Sequence, residues 1–253
     1  MTNGEGRPPA GAPQTRRIAL WGASQVGKTT TLAAYLGKYR PQWIHRDDEE
    51  TRKTVRAFQQ IWSTLQRNRL AAGTTMERDY TLRHRDGCAI QFRDMRGANS
   101  RDLVAHGADA DALARADAVM IFLEWPGSRA ADSRAAIDNA LQELSPKRPT
   151  ALLITKCEGH LTAGEFASFA EDPLGFARSQ GASADLTELL ESFVTHFRKD
   201  ALFPLTVYGW NAGRPAHFYD EFGRLVPWYI RPALVDRPFE YILNRLDLGT
   251  EGR

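Results

Sequence analysis

The sequence predicts an α/β domain in three layers: a mostly parallel central sheet with helices on both faces. Three observations predict it. Short apolar runs alternate with helical patterns, as parallel strands joined by crossover helices require. A glycine-rich turn links the first apolar run to the first helical pattern. The composition, 42% hydrophobic and 25% charged over 253 residues, provides a sizeable core and excludes a wholly disordered, collagen-like or coiled-coil chain.

Residues 1–16, rich in Gly, Pro and polar side chains, read as a flexible tail, and 17–248 as one domain. Arg17 to Trp21 is an apolar run that suits a first strand. From Lys28 to Tyr39, Leu32, Tyr35, Leu36 and Tyr39 share one helical face. Glu49 to Leu70 predicts a second helix, with Val55, Phe58, Ile61, Trp62 and Leu65 at helical spacing, inside an insert near 42–70. The acidic run at 47–50 suits the start of that helix. Residues 78–85 and 88–93 predict a hairpin turning at Asp86-Gly87. Strands are expected at 118–124, 150–155 and 202–208, with helices near 130–144 and 185–199. A helical C-terminal region is expected from about 211, closing with a helix over 233–247.

Basic and acidic residues nearly cancel, 33 against 31, so no nucleic-acid binding is expected. Cys88 and Cys157 lack the spacing of a metal or redox pair, and the six His are scattered. No stretch has the length of a membrane span and the first residues lack a signal-peptide core, which together suggest a cytoplasmic protein.

The strongest motif is Gly22-Ala23-Ser24-Gln25-Val26-Gly27-Lys28-Thr29, which fits G-x-x-x-x-G-K-[ST], followed by Thr30. Glycines allow a tight turn that points successive N–H groups at phosphate oxygens. Lys28 would bridge the outer phosphates and Thr29 would place its hydroxyl on Mg²⁺. Further on, Asp94-Met95-Arg96-Gly97 has the form D-x-x-G at a strand end. Thr155-Lys156-Cys157-Glu158 is close to [NT]-K-x-D at another.

In this order the motifs resemble those of P-loop GTPases of the Ras-like and translation-factor-related superfamily. The resemblance covers roughly residues 17–210 and implies a P-loop NTPase fold. It implies GTP/GDP and Mg²⁺ as ligands. Asp94 would hold Mg²⁺ through water, and the Gly97 N–H would sense the terminal phosphate. Lys156 would lie against the base. Glu158, one methylene longer than the usual Asp, would accept from guanine N1 and N2. Thr75 would be the switch threonine that binds Mg²⁺ and the γ-phosphate, with Thr74 the competing choice. Gly209 or Trp210 would offer an N–H to guanine O6, and Trp210 would stack on the base or simply pack. The segment 18–36 also looks like bacterial double-GTPase domains from multi-gene conflict systems.

The family's water-orienting Gln follows D-x-x-G directly, where this chain has Ala98; Asn99 and Ser100 come next. Slow hydrolysis is therefore expected, completed by a protein partner or by Arg69, Arg96 or Arg101. The reading is a GTP-dependent switch with an activator or effector protein. A P-loop ATPase, or a nucleotide-holding assembly subunit without turnover, are the alternatives.

Overall fold

A computed structural model describes residues 15–23, 25–67, 69, 78–95, 107–125, 130–180 and 184–248. The order of elements is β1 (Thr15–Trp21), α1 (Lys28–Ala34), α2 (Glu49–Gln66), β2 (Arg78–Arg83), β3 (Ala89–Asp94), α3 (Gly107–Arg115), β4 (Ala118–Glu124), α4 (Ala130–Glu143), β5 (Thr150–Thr155), α5 (Ala163–Glu171), α6 (Pro173–Ser179), α7 (Ala184–His196), β6 (Leu202–Pro204), β7 (Trp210–Asn211), β8 (Arg214–Pro215), β9 (His217–Tyr219), β10 (Leu225–Pro227) and α8 (Arg237–Arg245).

Six strands form the central sheet in the order β2-β3-β1-β4-β5-β6. All neighbours are parallel except β2, which pairs antiparallel with β3 through the turn at Asp86-Gly87. Strand alternation explains the layers. Ile18 and Leu20 enter one core with side chains from α1, α2 and α8. Ala19 and Trp21 enter a second core with α3 to α7. The central strands are buried on both faces, which is why β4 reads as an unbroken apolar run.

Helix α1 continues as a wider π-helical turn, Tyr35–Tyr39. Gly37 lies against Trp62 of α2, and a Cβ there would sit 2.5 Å from the indole Cγ. The two helices therefore cross at a point only glycine fits. Helix α2 starts at Asp48, whose carboxylate accepts from the Thr51 N–H at 2.8 Å.

Several boundaries differ from the sequence reading. Thr15 and Arg16, placed in the tail, belong to β1 and pair with Ala89 and Ile90; residues 1–14 lie outside the described residues. The strand expected over 202–208 stops at Pro204, after which Thr206 bridges to Ala233. The helical region expected from 211 is two small ribbons, β7-β8 and β9-β10. Ala212 and Gly213, both at positive φ, close the first; Gly223 turns the second. The closing helix begins only at Arg237, because Ala233 is occupied in the bridge and Pro238 suits a first turn.

Candidate functional site

The C-terminal ends of β1, β3, β4 and β5 gather the motif residues at one edge of the sheet. The chain leaves β1 at Gly22, with φ 143°, where a Cβ would come within 2.6 Å of the Phe122 carbonyl oxygen. It re-enters helix at Gly27, with φ 96°. Between them Gln25, a non-glycine residue, also takes positive φ, 64°. This left-handed geometry folds the loop over the start of α1. Ala23 and Val26 are buried beneath it, and Ser24 lies outside the described residues.

Lys28 is 7% exposed and turns back under the loop. Its ammonium donates to the carbonyls of Gly22, at 2.9 Å, and Ala23, at 3.2 Å. Burial lowers its pKa, and the carboxylate of Asp94 opposes that shift. The Thr29 hydroxyl donates to Asp94 Oδ2 at 2.6 Å, joining residues 65 positions apart. Adjacency of β1 and β3 produces this contact, since Leu20 pairs with Asp94 at the strand ends. A hydroxyl and a carboxylate are hard oxygen donors of the kind Mg²⁺ accepts beside substrate phosphates. Thr30, in the same helical turn, is half-buried.

The second cluster lies at the ends of β5 and β6. Thr155 Oγ1 donates to the Val26 carbonyl at 2.7 Å and approaches that of Leu123 at 3.2 Å, so β5 is fastened to the turn between Gly22 and Gly27. Lys156, at φ 58°, pairs with Glu124 at 2.9 Å. Glu158 follows in a short 3₁₀ turn and is 2% exposed. Its Oε1 accepts from the Tyr208 N–H at 3.3 Å, while its buried Oε2 has no hydrogen-bond partner among the described residues. Burial raises the Glu158 pKa, against the Thr206 hydroxyl and the Tyr208 amide, which favour the anion.

The structure thus brings Lys28, Thr29 and Asp94 together, and ties Thr155 to them. It also brings Glu158 beside Gly209. The alternatives at residues 209 and 210 narrow. The Gly209 N–H, one of the two offered to a base oxygen, donates to Thr206 Oγ1 at 2.8 Å. Trp210 is packed: its indole N–H donates to Leu161 O at 2.8 Å and its ring lies 5.0 Å from that of Phe166. Gly209 itself, at φ +70°, has no room for a Cβ because of the Arg231 carbonyl.

Thr74, Thr75, Arg96, Gly97, Ala98, Asn99, Ser100 and Arg101 lie outside the described residues. Arg69 is exposed. Two participants went unread in the sequence. Glu124 ends β4 one strand away from Lys156, and its position at a strand end was the available signal. Thr206 organises both Glu158 and Gly209, with no motif to mark it. No protein-family model matches the chain, and no curated protein matches it either.

Proposed function

We propose that the chain is a P-loop nucleotide-binding protein that binds GTP with Mg²⁺, hydrolyses it slowly and acts as a switch for a protein partner. The observation that carries this reading is the Thr29–Asp94 contact at 2.6 Å. It joins the end of the G-x-x-x-x-G-K-T loop to the start of D-x-x-G, where a metal between protein and phosphate has to be held. The main-chain amides of residues 22–29 receive the phosphates. Lys28 exchanges its two carbonyl acceptors for phosphate oxygens, which is favourable because a charged donor gains a charged acceptor. Thr29 and Asp94 would hold Mg²⁺, which would supply charge neutralisation at the outer phosphates. Thr75 and Gly97 report the γ-phosphate, and Ala98 keeps hydrolysis slow. Lys156 and Glu158 read guanine.

Guanine selection by Glu158 follows from its unpartnered oxygen: a buried carboxylate lacking one hydrogen bond gains most from a donor pair such as guanine N1 and N2. Its closed surroundings favour a second reading, in which the base loop is less selective and ATP serves equally. Isothermal titration of the purified chain with Mg-GTP and Mg-ATP separates the two. The GTP reading expects tighter GTP binding, and equal or tighter ATP binding overturns it. Lys28→Ala should weaken triphosphate binding by about 100-fold, corresponding to about 3 kcal/mol for a charged hydrogen-bonding group. Unchanged affinity in that variant would remove the phosphate-loop assignment altogether. Single-turnover phosphate release distinguishes a slow hydrolase from a subunit that only holds nucleotide.

A further inference from the structure

A second charged site lies at the opposite end of the sheet. The turn between β2 and β3 precedes Ala89, whereas the phosphate loop lies beyond the far ends of β1 and β3. Helix α1 runs back from that loop and delivers residues 40–47 to this turn. The two segments are sewn together by main-chain hydrogen bonds, His45 N to Arg83 O at 2.7 Å and Arg85 N to Trp43 O at 2.9 Å. Ile44 and His84 form an antiparallel bridge between those bonds.

These segments border an open hollow of about 380 Å³, lined by the exposed Arg40, Gln42, His45, Arg46, Asp47 and Arg85 above the buried Ile44. Three arginines and one aspartate thus line one hollow. Some arginines elsewhere are ion-paired, such as Arg83 with Asp48, Arg134 with Asp185 and Glu188, Arg178 with Glu191 and Arg245 with Asp200. Here Arg40 donates only to the Gly37 carbonyl, at 3.3 Å. Among the described residues no carboxylate lies in ion-pair distance of Arg40, Arg46 or Arg85. Three like charges gathered about a single carboxylate repel one another, and a multiply charged oxyanion relieves that repulsion. Planar guanidiniums match the tetrahedral oxygens of a phosphoryl group two at a time. The volume is that of a small-molecule site.

We propose that this cavity binds a small phosphorylated molecule through a phosphoryl or pyrophosphoryl group, apart from the nucleotide site. The site is an open hollow between two segments joined by main-chain hydrogen bonds, of a size that suits a compact anion. Tripolyphosphate is the probe, titrated calorimetrically in 150 mM NaCl into four full-length proteins: wild type, Lys28→Ala, Arg46→Gln/Arg85→Gln, and the combination of all three. Lys28→Ala weakens the phosphate loop, so binding that persists and is then lost with Arg46 and Arg85 belongs elsewhere. The expected result is retained binding in Lys28→Ala that weakens at least tenfold in the combined variant. Equal affinity in those two proteins, or no binding in Lys28→Ala, overturns the proposal. Should the combined variant fold poorly, Arg46→Gln and Arg85→Gln singly in the Lys28→Ala chain read the same loss. Amide exchange supplies the location: tripolyphosphate should slow exchange at residues 42–47 and 84–88, and slowing confined to 22–29 counts against the site. A single-stranded oligonucleotide that binds the Lys28→Ala chain while tripolyphosphate does not would make the surface a nucleic-acid contact instead.

Discussion

At the scale of single residues, Glu158 carries the sharpest consequence. Burial is the largest influence on it and raises its pKa above the ordinary 4.5. An acid whose folded-state pKa lies above its unfolded value adds stability below the unfolded value, and that stability disappears as pH rises through the folded value. Glu158→Gln should therefore flatten the loss of stability as pH rises above 4.5, read as urea midpoints across a pH series. The same change should weaken GTP about 10- to 100-fold, corresponding to about 1.5–3 kcal/mol for hydrogen bonds to a charged acceptor, while ATP moves far less. A parallel loss of both nucleotides would show that Glu158 supports the loop without reading the base. The glycine turn that sets Lys28 and Thr29 at the start of α1 was legible from sequence because it is a main-chain device whose spacing is fixed by its glycines. Thr206 and Glu124 were not: each acts on a residue brought in by another strand, and no local spacing records such a meeting.

At the scale of elements, the crossing of α1 and α2 is set by one glycine. Gly37→Ala would drive a methyl into Trp62, and the expected loss is about 1–3 kcal/mol, typical of overpacking. Chemical denaturation checks it. Combining the change with Trp62→Leu should cost less than the two single losses added, because the collision is shared. Additive losses would mean that the backbone, and not the indole, resents the substitution. The long apolar strands and the amphipathic α2 were legible because each carries a repeat of burial over six or more residues. The ribbons β7-β8 and β9-β10 have strands of two or three residues, too short for any period to register. Their signal was the positive-φ turns, which compete with the helical preferences of neighbouring side chains.

For the molecule as a whole, the bond from Thr155 to the Val26 carbonyl joins the turn between Gly22 and Gly27 to β5, and with it the nucleotide site proposed there. Nucleotide should then stabilise the entire fold. At 100 times its dissociation constant, Mg-GTP adds about 2.7 kcal/mol, which for a chain of this size raises Tm by about 5–10 °C. Differential scanning calorimetry should record a single shifted transition. A shift in only part of the heat absorption would instead indicate that the β5 side melts independently. The sheet's two borders also differ from a regular strand edge. One is β6, three residues long and ended by Pro204; the other is β2, which begins and ends with arginine and packs against α2. Neither gives a second molecule a long bare ladder to extend, so the chain should stay dispersed at concentrations where proteins with open borders join into fibres.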